Sequence, residues 1–101
     1  MKIDHIAIQV DDIAGAVEWY TTYHGAESLY VDDTWGMVQF ENVKVAFVTK
    51  SQHPPHLAFR QDDLVGGKVH RDGSRSMYKR DPWGNIYELI KYPEEPKEAL
   101  D

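Results

Sequence analysis

Two histidines and a glutamate stand at places in this chain where three strands could bring them to one point. His5 opens His5-Ile-Ala-Ile-Gln-Val10, His56 opens His56-Leu-Ala-Phe-Arg60, and Glu88 ends Tyr78-Lys-Arg-Asp-Pro-Trp-Gly-Asn-Ile-Tyr-Glu88. Two imidazoles and one carboxylate on one side of a metal leave coordination positions open, a set suited to Fe(II), Mn(II), Ni(II) or Zn(II). A substrate with adjacent oxygens could chelate at such positions, where the metal would polarise a carbonyl or stabilise an enolate while a base moves a proton. The strand period of two then makes a demand: His5 with Ala7, His56 with Ala58, and Glu88 with Ile86 and Ile90 must face one cavity. Each residue also has an ordinary reading. The histidines could be strand-end side chains and Glu88 an edge carboxylate, although a carboxylate facing inward among Ile86, Leu89 and Ile90 is costly to bury without a partner.

The bulk composition narrows what those residues could serve. A chain of 101 residues, 42% hydrophobic, suits one domain with one core. Its net charge of -6 and lack of any long Lys/Arg cluster disfavour nucleic acid and anionic membranes as partners. There is no cysteine, so a metal would have to use imidazole and carboxylate, and a reducing compartment is expected. Neither a signal-peptide core nor a bilayer-spanning run is present, which predicts a cytoplasmic protein.

The elements that must position the three residues follow from periodicity. Residues 3–10 alternate as a strand, and Asp11-Asp12 caps a helix with Ile13, Ala16, Val17 and Tyr20 on one face, stopped by Gly25. Strands follow at Glu27–Val31, Trp35–Phe40 and Val43–Thr49, separated by turn-forming Asp32-Asp33-Thr34 and Glu41-Asn42. This first module, 1–50, reads β-α-β-β-β. The linker 51–55 ends in Pro54-Pro55 and suits neither a helix interior nor a central strand. The second module, 56–92, restarts with His56–Arg60 and ends in strands near Arg75–Arg80 and Asn85–Tyr92. Between Asp63 and Arg75, however, Gly66-Gly67 leaves no room for a three-turn helix. The expectation is therefore an α+β fold: two paired βαβββ-type modules forming a curved mixed sheet around a central cavity, the second module shortened and lacking its helix. Leu57, Phe59, Met77, Tyr87 and Leu89 then have no helix of their own, and a second subunit or the charged tail, 93–101, is expected to cover them.

With these elements laid out, His5-Ile-Ala-Ile-Gln-Val-Asp-Asp-Ile13, His56-Leu-Ala-Phe59 and Arg80-Asp-Pro-Trp-Gly-Asn-Ile-Tyr-Glu-Leu-Ile90 resemble the vicinal oxygen chelate superfamily over residues 3–92. That superfamily includes glyoxalase I, extradiol dioxygenases, fosfomycin thiol transferases, methylmalonyl-CoA epimerase and bleomycin-binding proteins. The resemblance implies a single domain over 1–101, a curved sheet wrapping a divalent metal (Ni, Mn, Zn or Fe(II)) and a small-molecule substrate, and His5, His56 and Glu88 as metal ligands. The fourth ligand of glyoxalase I should fall near Phe47 or Val48, where no carboxylate or amide stands. Ala7 occupies the place where fosfomycin transferases would have threonine.

Tyr78 lies on the strand before Glu88, across the Asp81-Pro-Trp-Gly84 turn, and its hydroxyl could reach the cavity and donate to an oxyanion; the resemblance supports this placement. Arg60, Gln39 and Trp35 are candidates for substrate contact. Trp19 and Trp83 read as core or turn packing, and His24, His53 and His70 as solvated, with His53 near enough to compete as a ligand. The resulting expectation is a glyoxalase-like lyase or isomerase with Tyr78 and Glu88 catalytic, in a homodimer. The alternatives are Fe(II) dioxygenase chemistry and a non-catalytic, bleomycin-type binding module.

Overall fold

The computed structural model describes residues 1–93. In chain order the elements are β1 (Lys2–Gln9), α1 (Ile13–His24), β2 (Glu27–Val31), β3 (Trp35–Gln39), β4 (Lys44–Val48), β5 (His56–Arg60), β6 (Lys68–Val69), β7 (Arg75–Arg80) and β8 (Ile86–Lys91). All eight strands form one open sheet in the order β2-β3-β4-β1-β5-β8-β7-β6. At its centre β1 and β5 run antiparallel, while β4 lies parallel to β1 and β8 parallel to β5. The second module thus repeats the strand frame of the first and joins it within the same chain. The expected α+β architecture is present, with one helix in the first module and none in the second.

Local chemistry accounts for these elements. Asp12, in an extended conformation, accepts a hydrogen bond from the Gly15 N–H, and Gly25 closes α1 with φ at 69°. Ile13 and Val17 of α1 meet Ala26, Val38 and Phe47, with Ile8, Val10, Tyr20, Phe40 and Val45 packed around them. Phe47 and Val38 are fully buried, and each such side chain contributes about 1.5–3 kcal/mol relative to exposure. The register pairs Ile6 with Val45 and Ile8 with Phe47, so one side of the sheet carries the helix and the other carries His5 and Ala7.

In the second module the segment from Gln61 to Gly67 replaces the helix. The Gln61 N–H donates to the Ile90 carbonyl, and Leu64 is buried. The β7–β8 turn is organised by Asp81, whose carboxylate accepts from the backbone N–H groups of Trp83 and Asn85 and from the Asn85 side chain. Gly84 takes φ of 89° in that turn, a conformation costly for any residue with a Cβ. This geometry fixes the register that sets Tyr78 opposite Glu88.

Three details depart from the sequence expectation. His5 sits within β1 rather than opening it, because Lys2, Ile3 and Asp4 also pair with neighbouring strands or extend the ladder. β6 is a two-residue strand with no hydrophobic alternation to announce it. Neither Trp19 nor Trp83 is a core residue, at 48% and 83% exposed, although Trp19 packs against the rings of Tyr20, Tyr23 and His24. The helix-free face is partly open: Leu89 is buried, Phe59, Met77 and Tyr87 are half-buried, and Leu57 is exposed. Of the tail expected to cover it, residues 94–101 lie outside the described residues.

Candidate metal centre

Strand register brings the three sequence candidates together. Ala7 pairs with His56 and His5 with Ala58 across β1–β5, and Ala58 pairs with Glu88 across β5–β8. Directly paired residues share a face, so both histidines and the glutamate project from the side opposite α1. All three are buried, and one ligand atom from each lies within 4.8 Å of the others. His5 Nε2 is 3.2 Å and His56 Nε2 3.5 Å from Glu88 Oε1.

The far nitrogen of each imidazole is already engaged. His56 Nδ1 lies 2.7 Å from the Pro54 carbonyl oxygen, which can only accept, so that nitrogen carries the proton. His5 Nδ1 lies 2.7 Å from Asp4 Oδ2, and the same logic applies to a carboxylate. In the neutral rings both Nε2 lone pairs therefore point at a carboxylate that also offers only lone pairs. Among the described residues, His56 Nε2 is buried without any hydrogen-bond partner. Acceptors converging on one another are stable when a cation lies between them, and this donor set fits a divalent metal.

The charges follow the same geometry. Burial alone would raise the Glu88 pKa, but in the metal-free chain the adjacent His5 and His56 rings, when they carry a second proton, outweigh it and bring the carboxyl down to about 2. For His5, burial acts to lower the pKa and is overcome by hydrogen bonds to Asp4 and Glu88, which raise it. Asp4 remains below its ordinary value despite burial, because His5, the Tyr92 hydroxyl and Lys44 all stabilise its charge.

Asp4, Tyr92 and Lys44 are residues that sequence reasoning missed. The Asp4 side chain is 6% exposed, accepts from the Tyr92 hydroxyl at 2.7 Å and lies 3.4 Å from Lys44 Nζ. A strict period of two puts Asp4 and His5 on opposite faces. The β1–β5 register shifts between Ile3 and His5, and this irregularity lets neighbouring side chains meet. Only the adjacency of Asp4 and His5 in sequence could have hinted at it.

Tyr78 stands over the site. Its ring meets His56 edge-on at 5.1 Å, and its hydroxyl lies 3.2 Å from His53 Nδ1. Burial and the charge of Glu88 push its pKa up to about 12. His53 does not join the ligand cluster. Its carbonyl accepts from Gln9 Nε2 at 2.9 Å, so the linker is tied to β1, β5 and β7 by His53 and Pro54.

The three substrate-contact candidates are not brought to the cluster. Gln39 and Trp35 lie on β3, two strands from β1 and therefore about 10 Å away. The Gln39 amide donates to the Phe40 carbonyl, and the Trp35 ring packs on Tyr30 at 4.4 Å. Arg60 turns to Asp62 at 3.0 Å, with its guanidinium 5.5 Å from the Tyr92 ring centre. His70, expected to be solvated, is half-buried and bonded to Ser76 at 2.6 Å, while His24 lies against Trp19.

The repeated strand frame also locates the counterpart of Glu88. Glu88 pairs with Ala58, two residues after His56; on the first module Ala46 pairs with Ala7, two residues after His5. The corresponding fourth position is thus Ala46, one residue before the place expected from sequence. Phe47 points into the helix-side core instead.

No family model matches the sequence, and no curated protein does. Solved structures do match. A Streptomyces coelicolor methylmalonyl-CoA epimerase variant in complex with 2-nitronate-propionyl-CoA superimposes with a TM-score of 0.75 at 18% identity, covering 95% of this chain and 99% of that one. This chain has the vicinal oxygen chelate fold. Methylmalonyl-CoA epimerase from Mycobacterium tuberculosis aligns with a TM-score of 0.64 at 17% identity over 91% of this chain and 88% of its own. A hypothetical protein from Bacillus halodurans C-125 gives 0.69 at 13% identity over 96% and 98%. At these identities the likeness is one of fold. Among the described residues, no helix is long and apolar enough to cross a membrane.

Proposed function

We propose that this chain is a metal-dependent enzyme of the glyoxalase-like lyase and isomerase kind, acting on a small substrate that presents adjacent oxygens. The observation that carries the proposal is the unpartnered, buried His56 Nε2 facing the Glu88 carboxylate at 3.5 Å while its Nδ1 is committed to Pro54. His5, His56 and Glu88 would hold the ion, which would supply Lewis-acid polarisation of a substrate carbonyl. Structural neighbours that are epimerases, one of them in complex with methylmalonyl-CoA, support chemistry at a carbon beside a carbonyl as the general kind of reaction.

The chain's own residues divide the remaining work. Tyr78, with its pKa near 12, stays protonated at neutral pH and is therefore a hydrogen-bond donor to developing negative charge on substrate oxygen. Burial and the neighbouring His56 lower the pKa of His53, whose neutral ring can accept the single Tyr78 proton until a substrate oxygen takes its place as acceptor. The Pro54 carbonyl and Asp4 hold the two imidazoles in the tautomer that presents Nε2. Ala7 and Ala46 leave the floor beside the ligands free of bulk.

Elemental analysis of the untagged chain tests this directly. About one divalent ion per chain is expected, and both His5→Ala and Glu88→Gln should abolish stoichiometric binding. Retained metal in both variants, or none bound after reconstitution with Ni, Mn, Zn and Fe(II), would sink the proposal. With metal bound, NMR in D2O should show exchange of the proton beside the carbonyl in the substrate class turned over, and Tyr78→Phe should slow that exchange by about 10²-fold or more.

A further inference from the structure

The sheet face that carries His5, His56 and Glu88 differs in chemistry from one wing to the other. Pairing extends it from Ala7 through Ala46 and Met37 to Tyr30, with Trp35 opposite Val48. That wing is mainly aromatic and aliphatic around the cluster. In the other direction the same face runs from Glu88 to Tyr78, and from Ile90 through Ser76 to Lys68. His70, two residues after Lys68, is held to this side by its bond to the Ser76 hydroxyl. Hydrogen-bond donors and positive charge therefore line the β6–β7 wing.

The cations of this face are not equally engaged. Lys44 lies 3.4 Å from Asp4, and Arg60 bonds Asp62 at 3.0 Å. Arg80 donates to the Gly84 carbonyl at 2.9 Å. Lys68 is exposed and, among the described residues, has no ion pair or side-chain hydrogen bond. Its charge nevertheless reaches the site. Burial and His56 do most to lower the His53 pKa, and Lys68 and His70 add to that effect while Glu88 opposes it. Lys68 springs from β6, two strands and about 10 Å from β8. Its four-carbon stem can turn back toward Tyr78, leaving a gap that a short carbon chain spans.

We infer that Lys68 and His70 form a subsite for a second carboxylate of the substrate, set a few bonds from the oxygens that chelate the metal. The inference rests on the reading of His5, His56 and Glu88 as a metal centre and narrows its substrate class to adjacent-oxygen chelators that carry a further acid group. One ammonium and one ring N–H match the two oxygens of a carboxylate. The Lys68 ammonium supplies the charge. The His70 ring is fixed by Ser76, and when that hydroxyl donates to Nε2 the ring proton sits on Nδ1, free to donate. The chain as a whole has a net charge of -6, which repels a dianion, so the cation beside the site decides whether one is accepted.

Calorimetric titration of the metal-loaded full chain with 2-oxoglutarate and with 2-oxopentanoate tests the assignment. Both probes offer the same adjacent carboxylate and keto oxygens, and only the first has a distal carboxylate. The wild type should bind 2-oxoglutarate about fivefold or more tightly than 2-oxopentanoate, a preference that shrinks with salt. The ratio should fall to about one in Lys68→Ala, survive in Lys68→Arg and invert in Lys68→Glu. Lys68 is exposed, so these variants should keep the wild-type circular dichroism spectrum. Equal affinities in the wild type, or a preference that persists in Lys68→Ala and Lys68→Glu, overturns the subsite and leaves the metal centre standing. A wild type that takes up no metal, or that binds neither probe when loaded, overturns the metal-centre reading and the subsite with it.

Discussion

The two modules share a strand frame and differ in what hangs from it. The first has α1 and a sealed core, with Ala46 at the position where the second has Glu88. The second has no helix and leaves Leu57 exposed, yet it supplies His56, Glu88 and Tyr78. Packing and the candidate ligands have separated across the pseudo-symmetry, with His5 the single candidate from the well-packed half. Even the devices that orient the imidazoles differ. His5 is held by the Asp4 side chain, whereas His56 is held by the backbone of Pro54, which no substitution of that residue's side chain would remove.

The difference in packing should give the largest effect. Phe47→Ala removes a fully buried ring from the first module and should cost about 3–5 kcal/mol, whereas Leu57→Ala in the second should cost under about 1 kcal/mol in the monomer. Urea melts of both variants measure the contrast, and equal losses would erase it. Ala46→Glu would make the halves alike. Without metal it adds a buried carboxylate beside Ala7 on the ligand face and should destabilise by about 1–3 kcal/mol. With metal it should regain stability as a fourth ligand, so thermal melts with and without the ion should change order.

Asp4→Asn should lower metal affinity by about 10–100-fold while leaving the three ligands in place. A competition titration against a chromophoric chelator reads this, and an unchanged affinity would mean that Asp4 serves Lys44 and Tyr92 rather than His5. The smallest effect is on pH dependence of the metal-free chain. His5 has a raised pKa, so its contribution is complete below its ordinary 6.5 and is lost as pH rises through the raised value. Glu88 is depressed to about 2, so its contribution is complete above its ordinary 4.5 and is lost as pH falls toward about 2. Melting temperature should peak between pH 4.5 and 6.5, and Glu88→Gln should weaken the acid limb of that profile, leaving the part that Asp4 contributes.

Much of this was legible in the chain itself. Alternation at residues 3–10, the Asp12 cap, Gly25 and the Asp81–Asn85 turn define their elements through interactions within a few residues, and the Gly66-Gly67 segment rules out a second helix in the same local way. The period of two was enough to put His5, His56 and Glu88 on one side of their strands. What lies opposite what was decided only by the tertiary structure. The register shift that turns Asp4 toward His5, the closure of Tyr92 onto Asp4 from 88 residues away, and the pairing that makes Ala46 the mate of Glu88 all depend on how strands align. Patterns within a strand specify which face a side chain takes; alignment between strands is set by packing and hydrogen bonding across the whole sheet, which no local pattern encodes.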